Sequence, residues 1–289
     1  MKHAYLIIAH NELELLKNLI SILDDERNDI FIHFDAKLKE IPELSVKKSR
    51  LYILQKRINV CWADFSVVEV ELALLRTAFS NNHYVYYHLL SGVDLPLKNQ
   101  DYIHSFFDKN AGKEFIDFCL FDVSSEMERK MMRWHLFPKD FKNLGKFAFV
   151  TRPIRAMFVR IQEYLRIKRN KHIIFRKGSQ WFSITSDFVE YLLSQEKKFR
   201  SIYSHTFCPD EVIIQTECWN SSFRNKLYDY STNYKGYMRL IDWTRGGPYV
   251  WRDVDYDELV ESECLFARKF SSEYIDVVKK ITDLVKTIK

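Results

Sequence analysis

Glycine and proline are scarce in this chain. Its 289 residues hold only 7 glycines and 6 prolines, which excludes a linker-rich or low-complexity organisation. Cysteine is equally sparse. The five (Cys61, Cys119, Cys208, Cys218, Cys264) are odd in number and scattered, with no CxxC pair, so neither a zinc ribbon nor a disulfide framework is indicated. Free thiols in a reducing compartment are the expectation. No apolar stretch approaches the ~18 residues of a membrane span. The N-terminal run AYLIIA breaks off at His10, Asn11 and Glu12, unlike a secretory leader. A cytosolic chain with at most a peripheral membrane contact is expected. Also missing are GxGxxG and GxxxxGK[ST] after the first apolar run, an HExxH pair and a GxSxG elbow. The dinucleotide, P-loop and zinc-protease readings therefore fall away, and no serine nucleophile is marked.

What is present is an ordinary soluble balance, 47% hydrophobic and 29% charged, enough for a sizeable core. Aromatics reach 15%, with 22 Phe and 16 Tyr; such rings either fill a core or line a sugar site. Short apolar runs (4–9, 30–34, 51–54 and 84–90) alternate with helical patterns. One pattern uses Leu13, Leu16, Ile20 and Leu23, and another Val67, Val70, Leu74, Leu75 and Ala78. That alternation predicts an α/β fold with a mainly parallel sheet. His10, Asp35 and Asp94 fall at the ends of predicted strands, where such sheets bind ligands. A last amphipathic helix is predicted over 271–288, with Tyr274, Val277, Val278, Ile281, Leu284, Val285 and Ile288 on one stripe.

Residues 129–177 have a different character. Fifteen Lys/Arg stand there against Asp140 and Glu163, a net charge of 15 − 2 = +13 beside +5 for the whole chain. Ile154, Met157, Phe158, Ile161 and Leu165 share one face of a predicted helix. Either that face packs on the core, or the helix lies on an anionic membrane surface. Nucleic-acid binding is the weaker third reading, because no recognised motif accompanies the charge.

Three further spots bear chemistry. Cys208-Pro209-Asp210-Glu211 puts two carboxylates at the start of a predicted helix, suited either to capping or to taking a proton from a hydroxyl. Arg239 and Lys269 sit among apolar residues, which suggests partial burial and a need for an anionic partner such as a diphosphate. Asp253-Val254-Asp255 comes late in the chain and reads as loop acidity.

The fragments HAYLIIAH (3–10), IFIHFDAK (30–37), YHLLSGVDLPLK (87–98), KGSQWFSIT (177–185), PDE (209–211) and LFARKF (265–270) together resemble the core-2/I-branching β-1,6-N-acetylglucosaminyltransferase family, which also contains peptide O-xylosyltransferases. The likeness runs from about residue 3 to 275. It implies a GT-A type nucleotide-sugar-binding sandwich with a mainly parallel central sheet and a C-terminal helix, as a single glycosyltransferase domain over 1–289. It implies an inverting transfer from a UDP-sugar, by default UDP-N-acetylglucosamine, with no cofactor and no metal ion. By motif position Glu211 matches the catalytic base, and Arg239 and Lys269 the diphosphate-binding pair. Asp35 matches the uridine contact, with His10 in the adjoining loop and Asp94 near the donor sugar, while Trp181 and Arg133 fall where the acceptor is contacted. The family's secreted members carry an anchor and disulfides not seen here, so a bacterial, cytosolic member is expected. Its partners would be a UDP-sugar donor and a glycan or lipid-linked oligosaccharide acceptor of surface-polysaccharide synthesis, with a peripheral membrane contact through 148–170 and no nucleic acid. Xylosyl, glucosyl or galactosyl transfer, or a non-catalytic carbohydrate-binding role, are the alternatives.

Overall fold

Alternation in the first strand, β1 (His3–Ala9), decides the layering. Tyr5, Ile7 and Ala9 point to one face and Ala4, Leu6 and Ile8 to the other, and all six are buried. A strand apolar on both faces needs a helical layer on each side. The computed structural model describes residues 2–141, 148–230 and 234–287. After β1 come α1 (Leu13–Leu23), β2 (Asn28–Phe34), β3 (Arg50–Ile53), α2 (Ser66–Asn81) and β4 (Tyr86–Ser91). The two-residue β5 (Leu95–Pro96), α3 (Gln100–Lys109) and β6 (Phe115–Ile116) follow. The basic segment holds α4 (Ser124–Met131) and α5 (Ala148–Tyr164). Then come β7 (Phe182–Thr185), α6 (Ser186–Ser194), α7 (Glu196–Tyr203) and α8 (Ile213–Trp219), and last β8 (Arg239–Ile241), α9 (Tyr256–Glu261), β9 (Phe266–Arg268) and α10 (Ile275–Thr287).

The main sheet has the order β3-β2-β1-β4-β7-β6. Its first four strands are parallel, β7 runs antiparallel to β4, and β6 antiparallel to β7. This is the mainly parallel central sheet of an α/β sandwich. On one face Leu6 and Ile8 pack with Leu74 and Leu75 of α2, Val189 of α6 and Ile213 of α8. On the other, Tyr5 and Ile7 pack with Leu16 and Leu19 of α1, Phe107 of α3 and Val278 and Ile281 of α10. The expected stripe of the last helix is thus buried at Val277, Val278, Ile281 and Val285; Ile288 lies outside the described residues. A second sheet, β5-β9-β8, had no counterpart in the sequence reading. Its strands are two or three residues long, too short to show a period.

Of the face Ile154, Met157, Phe158, Ile161 and Leu165, which could pack on the core or meet a membrane, Ile154, Met157, Ile161 and, just past the end of α5, Leu165 are exposed and Phe158 is half-buried. Val159 and Gln162 face inward. The five cysteines are free thiols, three of them buried. No helix among the described residues is long and apolar enough to cross a membrane.

Below the main sheet runs a chain of buried imidazoles. His88 Nδ1 is 2.8 Å from Ser183 Oγ, its Nε2 is 3.1 Å from His3 Nδ1, and His104 Nε2 is 2.9 Å from Asn28 Oδ1. Burial holds His3 and His88 well below the ordinary imidazole value and brings His104 to about 4. The unfolded chain therefore binds protons at these sites that the fold refuses, so each costs stability as pH falls through about 6.5. Buried acids oppose them. Burial raises Glu114 to about 7 and Asp117 to about 6, and these favour the fold as pH falls. A substitution isolates one term. Relative to wild type, His104→Asn should gain up to about 1.4 kcal/mol per pH unit as pH drops from 6.5 toward 4, read from urea midpoints. Parallel profiles for the two proteins would mean His104 is not held neutral.

Candidate active site

The three parallel strands β2, β1 and β4 end level with one another, at Phe34, Ala9 and Ser91. Two backbone hydrogen bonds carry the pairing one residue further, Asp35 N–H to Ala9 O (2.9 Å) and Gly92 N–H to Ile8 O (3.1 Å). His10, Asp35 and the 92–94 turn are therefore neighbours at the carboxyl end of the sheet, as the strand-end argument expects. Asp35 is buried and held in place. Its Oδ1 accepts the Lys37 N–H at 2.8 Å, and its Oδ2 lies 3.2 Å from Lys37 Nζ. His10 is exposed. Partial loss of water lowers its pKa, with Arg268, Lys269 and Lys37 adding to the effect and Asp35 opposing it, so these five side chains share one field.

The second sheet delivers the cations. β9 pairs with β5 just after the 91–94 turn, and the Phe270 N–H donates to Val93 O at 3.0 Å. Arg268 consequently reaches Asp94 at 2.7 Å and also bonds Ser91 Oγ. Its guanidinium lies 4.5 Å from the centre of the Trp181 ring. Lys269 is half-buried, and its ammonium makes no hydrogen bond or ion pair among the described residues. Glu12 fixes the segment beyond it by accepting from Ser271 Oγ (2.9 Å) and the Ser272 N–H (3.1 Å). Sequence reasoning missed Arg268. The adjacent Arg268-Lys269 pair inside an apolar run was the signal.

Arg239 is not at the surface of this cleft. It is 2% exposed, and it donates to Tyr237 O at 2.6 Å, Phe182 O at 2.5 Å, Ser183 Oγ at 3.1 Å and Leu89 O at 3.4 Å. Burial lowers it to about 10, with Asp94 acting the other way, so it stays charged at neutral pH. Every donor except Nε is occupied. The guanidinium ties β4 and β7 to the segment entering β8 and is not presented at the surface beside Lys269, where the diphosphate expectation paired the two. Its apolar neighbours signalled burial, and the burial is complete.

Arg133 is likewise committed. It is 5% exposed and bonds Glu128 Oε1 at 2.9 Å, an acid shared with Lys168. It braces α4, buried at the place where the sequence put an acceptor contact. Trp181, expected at the acceptor, is buried with its ring against Arg268, so it sits with the strand-end cluster.

Glu211 closes a short 3-10 turn, Pro209–Glu211, just ahead of α8, as the proline predicted. Its carboxylate is 37% exposed and lies 3.8 Å from Lys177 Nζ. Burial works against the charge on Lys177. Even so, its hydrogen bond to Glu126 (2.7 Å) and the negative charge of Glu211 raise its pKa. Behind Glu211 the acids are harder to ionise. Burial, then the charge of Glu211, pushes Asp210 up to about 7. Burial and Asp210 raise Glu71 well above the carboxylate range, although Gln180 donates to it at 2.9 Å. On this turn, then, Glu211 is the carboxylate that faces solvent.

One loop joins both ends of the site. Within 177–181, Lys177 reaches Glu211, the Gly178 N–H donates to Glu211 O (2.9 Å), Gln180 meets Glu71, and Trp181 meets Arg268. Gly178 is required there, because a Cβ would stand 2.0 Å from Asp117 O. Beside the turn, the Cys208 N–H donates to Ala63 O (2.9 Å), next to the exposed ring of Trp62. The late Asp-x-Asp is occupied: Asp255 accepts from Arg245, Tyr249 Oη and the Arg252 N–H. No group of three or more His, Cys, Asp or Glu among the described residues could hold a metal ion.

Fold and site together define an α/β sandwich whose cleft sets a cation pair at the strand ends against a solvent-facing carboxylate. The chain belongs to the Core-2/I-Branching enzyme family, whose model matches residues 3–261. It is 24% identical over 305 residues to rat "Xylosyltransferase 2", covering 97% of this chain and 33% of that protein. To the human "Beta-1,3-galactosyl-O-glycosyl-glycoprotein beta-1,6-N-acetylglucosaminyltransferase" it is 22% identical over 283 residues, 91% of this chain and 61% of that one. The chain thus spans about a third of the length of the xylosyltransferase it matches. The crystal structure of mouse xyloside xylosyltransferase 1 in its apo form aligns at a TM-score of 0.38 and 11% identity, over 92% of this chain and 97% of that one.

The two cations should separate cleanly by substitution. Arg239→Ala leaves several buried carbonyls without donors, at about 1–3 kcal/mol each, and should lower the urea-unfolding free energy by at least about 3 kcal/mol. Lys269→Ala should stay within about 0.5 kcal/mol of wild type in the same titration. Equal losses would reject the assignment of Arg239 to the frame.

Proposed function

We propose that the protein is a glycosyltransferase that moves a sugar, N-acetylglucosamine by default, from a UDP-sugar to a glycan hydroxyl with inversion and without a metal ion. The observation that carries this reading is the free ammonium of Lys269 beside Arg268, across one short loop from the half-exposed carboxylate of Glu211. In the proposed step the acceptor oxygen attacks the anomeric carbon and its proton passes to Glu211. The bond to the diphosphate oxygen breaks on the opposite face, and UDP leaves with the negative charge. Arg268 and Lys269 stabilise that charge, Arg through a planar fork and Lys as a compact point charge. Asp35 and His10 hold the uridine end, and Asp94 fixes Arg268 beside the donor sugar. Metal independence is supported by the employment of Asp255 in an internal cap, which leaves the late Asp-x-Asp no paired carboxylates to offer. Preorganised cations of this kind contribute roughly 10²–10³ in rate per group removed, and a general base about 10²–10⁴.

The xylosyltransferase among the related proteins supports a second donor, xylose, in place of N-acetylglucosamine. For the acceptor we propose a lipid-linked oligosaccharide of surface-polysaccharide synthesis, reached from the cytoplasmic side of a membrane. The exposed ring of Trp62, beside the turn that bears Glu211, offers its face to the acceptor sugar.

A thermal-shift titration with UDP in EDTA tests the donor site. Saturation at 100 times Kd should stabilise the fold by about 2.7 kcal/mol. The shift should persist in EDTA, vanish in Lys269→Ala and Arg268→Ala, and survive in Glu211→Gln. That last variant should lose about 10²–10⁴ in turnover with whichever of UDP-N-acetylglucosamine or UDP-xylose the wild type uses. A shift seen only with manganese would overturn the metal-free reading, and wild-type turnover by Glu211→Gln would remove the assigned base.

A further inference from the structure

The outer face of α5 contradicts the ordinary logic of an amphipathic helix. At about 100° per residue, Val150, Ile154, Met157, Ile161, Tyr164 and Leu165 fall within an arc about 100° wide. That stripe points to water, with Met157 58% and Tyr164 87% exposed. The helix cannot simply roll to hide it. Gln162, on the opposite side, is buried and clasps the backbone of Trp134 in both directions, accepting its N–H and donating to its C=O, each at 2.9 Å. Val159 packs beside it. The outward set of the stripe is therefore specified.

The charge around the stripe names its occupant. Residues 148–177 hold nine Lys/Arg and one acid, Glu163, a net 9 − 1 = +8. Glu163 itself lies 3.8 Å from Arg129. Arg160, at the edge of the stripe, and Arg166 and Lys171, just past its end, make no side-chain hydrogen bond or ion pair among the described residues. Free cations flanking a continuous apolar stripe suit a surface that is negative at its face and apolar just beneath. An acidic protein groove would need to match six particular side chains, whereas a bilayer needs only to accept them.

We infer that the outer face of α5 and the residue just past its end dock on an anionic lipid bilayer, with Val150, Ile154, Met157, Ile161, Tyr164 and Leu165 entering the headgroup boundary and Arg160 and Arg166 meeting lipid phosphates. The contacts on the inner side of the helix orient the site. The Arg155 guanidinium lies 5.2 Å from the Phe141 ring centre, Phe141 is 4.4 Å from Phe207, and Trp62 touches both at 5.5 and 5.9 Å. Phe207 precedes the turn that carries Glu211. A bilayer held by α5 thus faces the side from which a lipid-linked hydroxyl would reach Glu211. That orientation rests on the glycosyl-transfer reading, and the docking does not.

Flotation of the full chain with vesicles provides the test. The protein should float with phosphatidylcholine vesicles that contain phosphatidylglycerol and stay behind with phosphatidylcholine alone. Met157→Glu/Ile161→Glu should abolish flotation. Arg160→Gln/Arg166→Gln should weaken it about 25-fold, at about fivefold per cation. Both variants should keep the wild-type melting curve and the UDP-induced shift, so a failed donor reading and a failed docking reading are told apart. Equal binding to both vesicle types, or flotation unchanged in Met157→Glu/Ile161→Glu, overturns the proposal. So does a wild-type dimer in light scattering that this double variant converts to monomer, because the stripe would then be a contact between copies.

Discussion

Burying Arg239 takes a guanidinium out of water with no carboxylate in contact, and isolated charges lose several kcal/mol in that transfer. Bonds to Tyr237 O, Phe182 O, Ser183 Oγ and Leu89 O offset the loss. Those acceptors belong to β4, to β7 and to the segment entering β8, so the group that must be satisfied also fastens the small sheet to the large one. β9 lies between β5 and β8 in the small sheet. The setting of Arg268 and Lys269 against the 91–94 turn therefore depends on a cation that never meets the cleft.

The two ends of the cleft use opposite electrostatic strategies. At the strand ends, cations gather around His10 and are only partly neutralised: Asp94 is given to Arg268 and Asp35 to Lys37. At the other end, buried acids are kept from charging. Burial penalises ionisation of Asp210 and Glu71; the charge of Glu211 raises Asp210 further, and that of Asp210 raises Glu71. A solvent-facing carboxylate can then sit beside them without a crowd of like charges. Backbone strain concentrates nearby, since Glu12, Cys208 and Met238 have φ of 52°, 53° and 55°. Such conformations cost on the order of 1–3 kcal/mol each and persist where the surroundings fix them.

The fold was legible wherever period and length were long enough to show. β1, β2 and β4 are six- or seven-residue apolar runs that stop at polar residues, and α2 and α10 show clear 3.6 spacing. The strand-end residues His10, Asp35 and Asp94 and the proline-started turn at Glu211 followed from those patterns directly. What stayed hidden was of two kinds. The second sheet is built from strands of two and three residues, whose pairing is decided by tertiary contact. The direction of side chains could not be read either. An arginine among apolar residues looks the same in sequence whether its guanidinium faces a cleft, like Arg268, or three backbone carbonyls, like Arg239. The stripe of α5 shows the same ambiguity at the scale of a helix, because periodicity finds a face but does not say what the face meets.

The loop 177–181 carries contacts to both ends of the cleft, and Gly178 pins it against the backbone of residue 117. Lys177 and Trp181 are four peptide steps apart, so their Cα atoms can stand no more than about 14 Å from one another. Through the ion pair of Lys177 with Glu211 and the ring contact of Trp181 with Arg268, that short span limits how far the carboxylate and the arginine can drift apart. The cleft contains its own ruler, and side-chain changes elsewhere can reshape it without altering the length of backbone that joins its two ends.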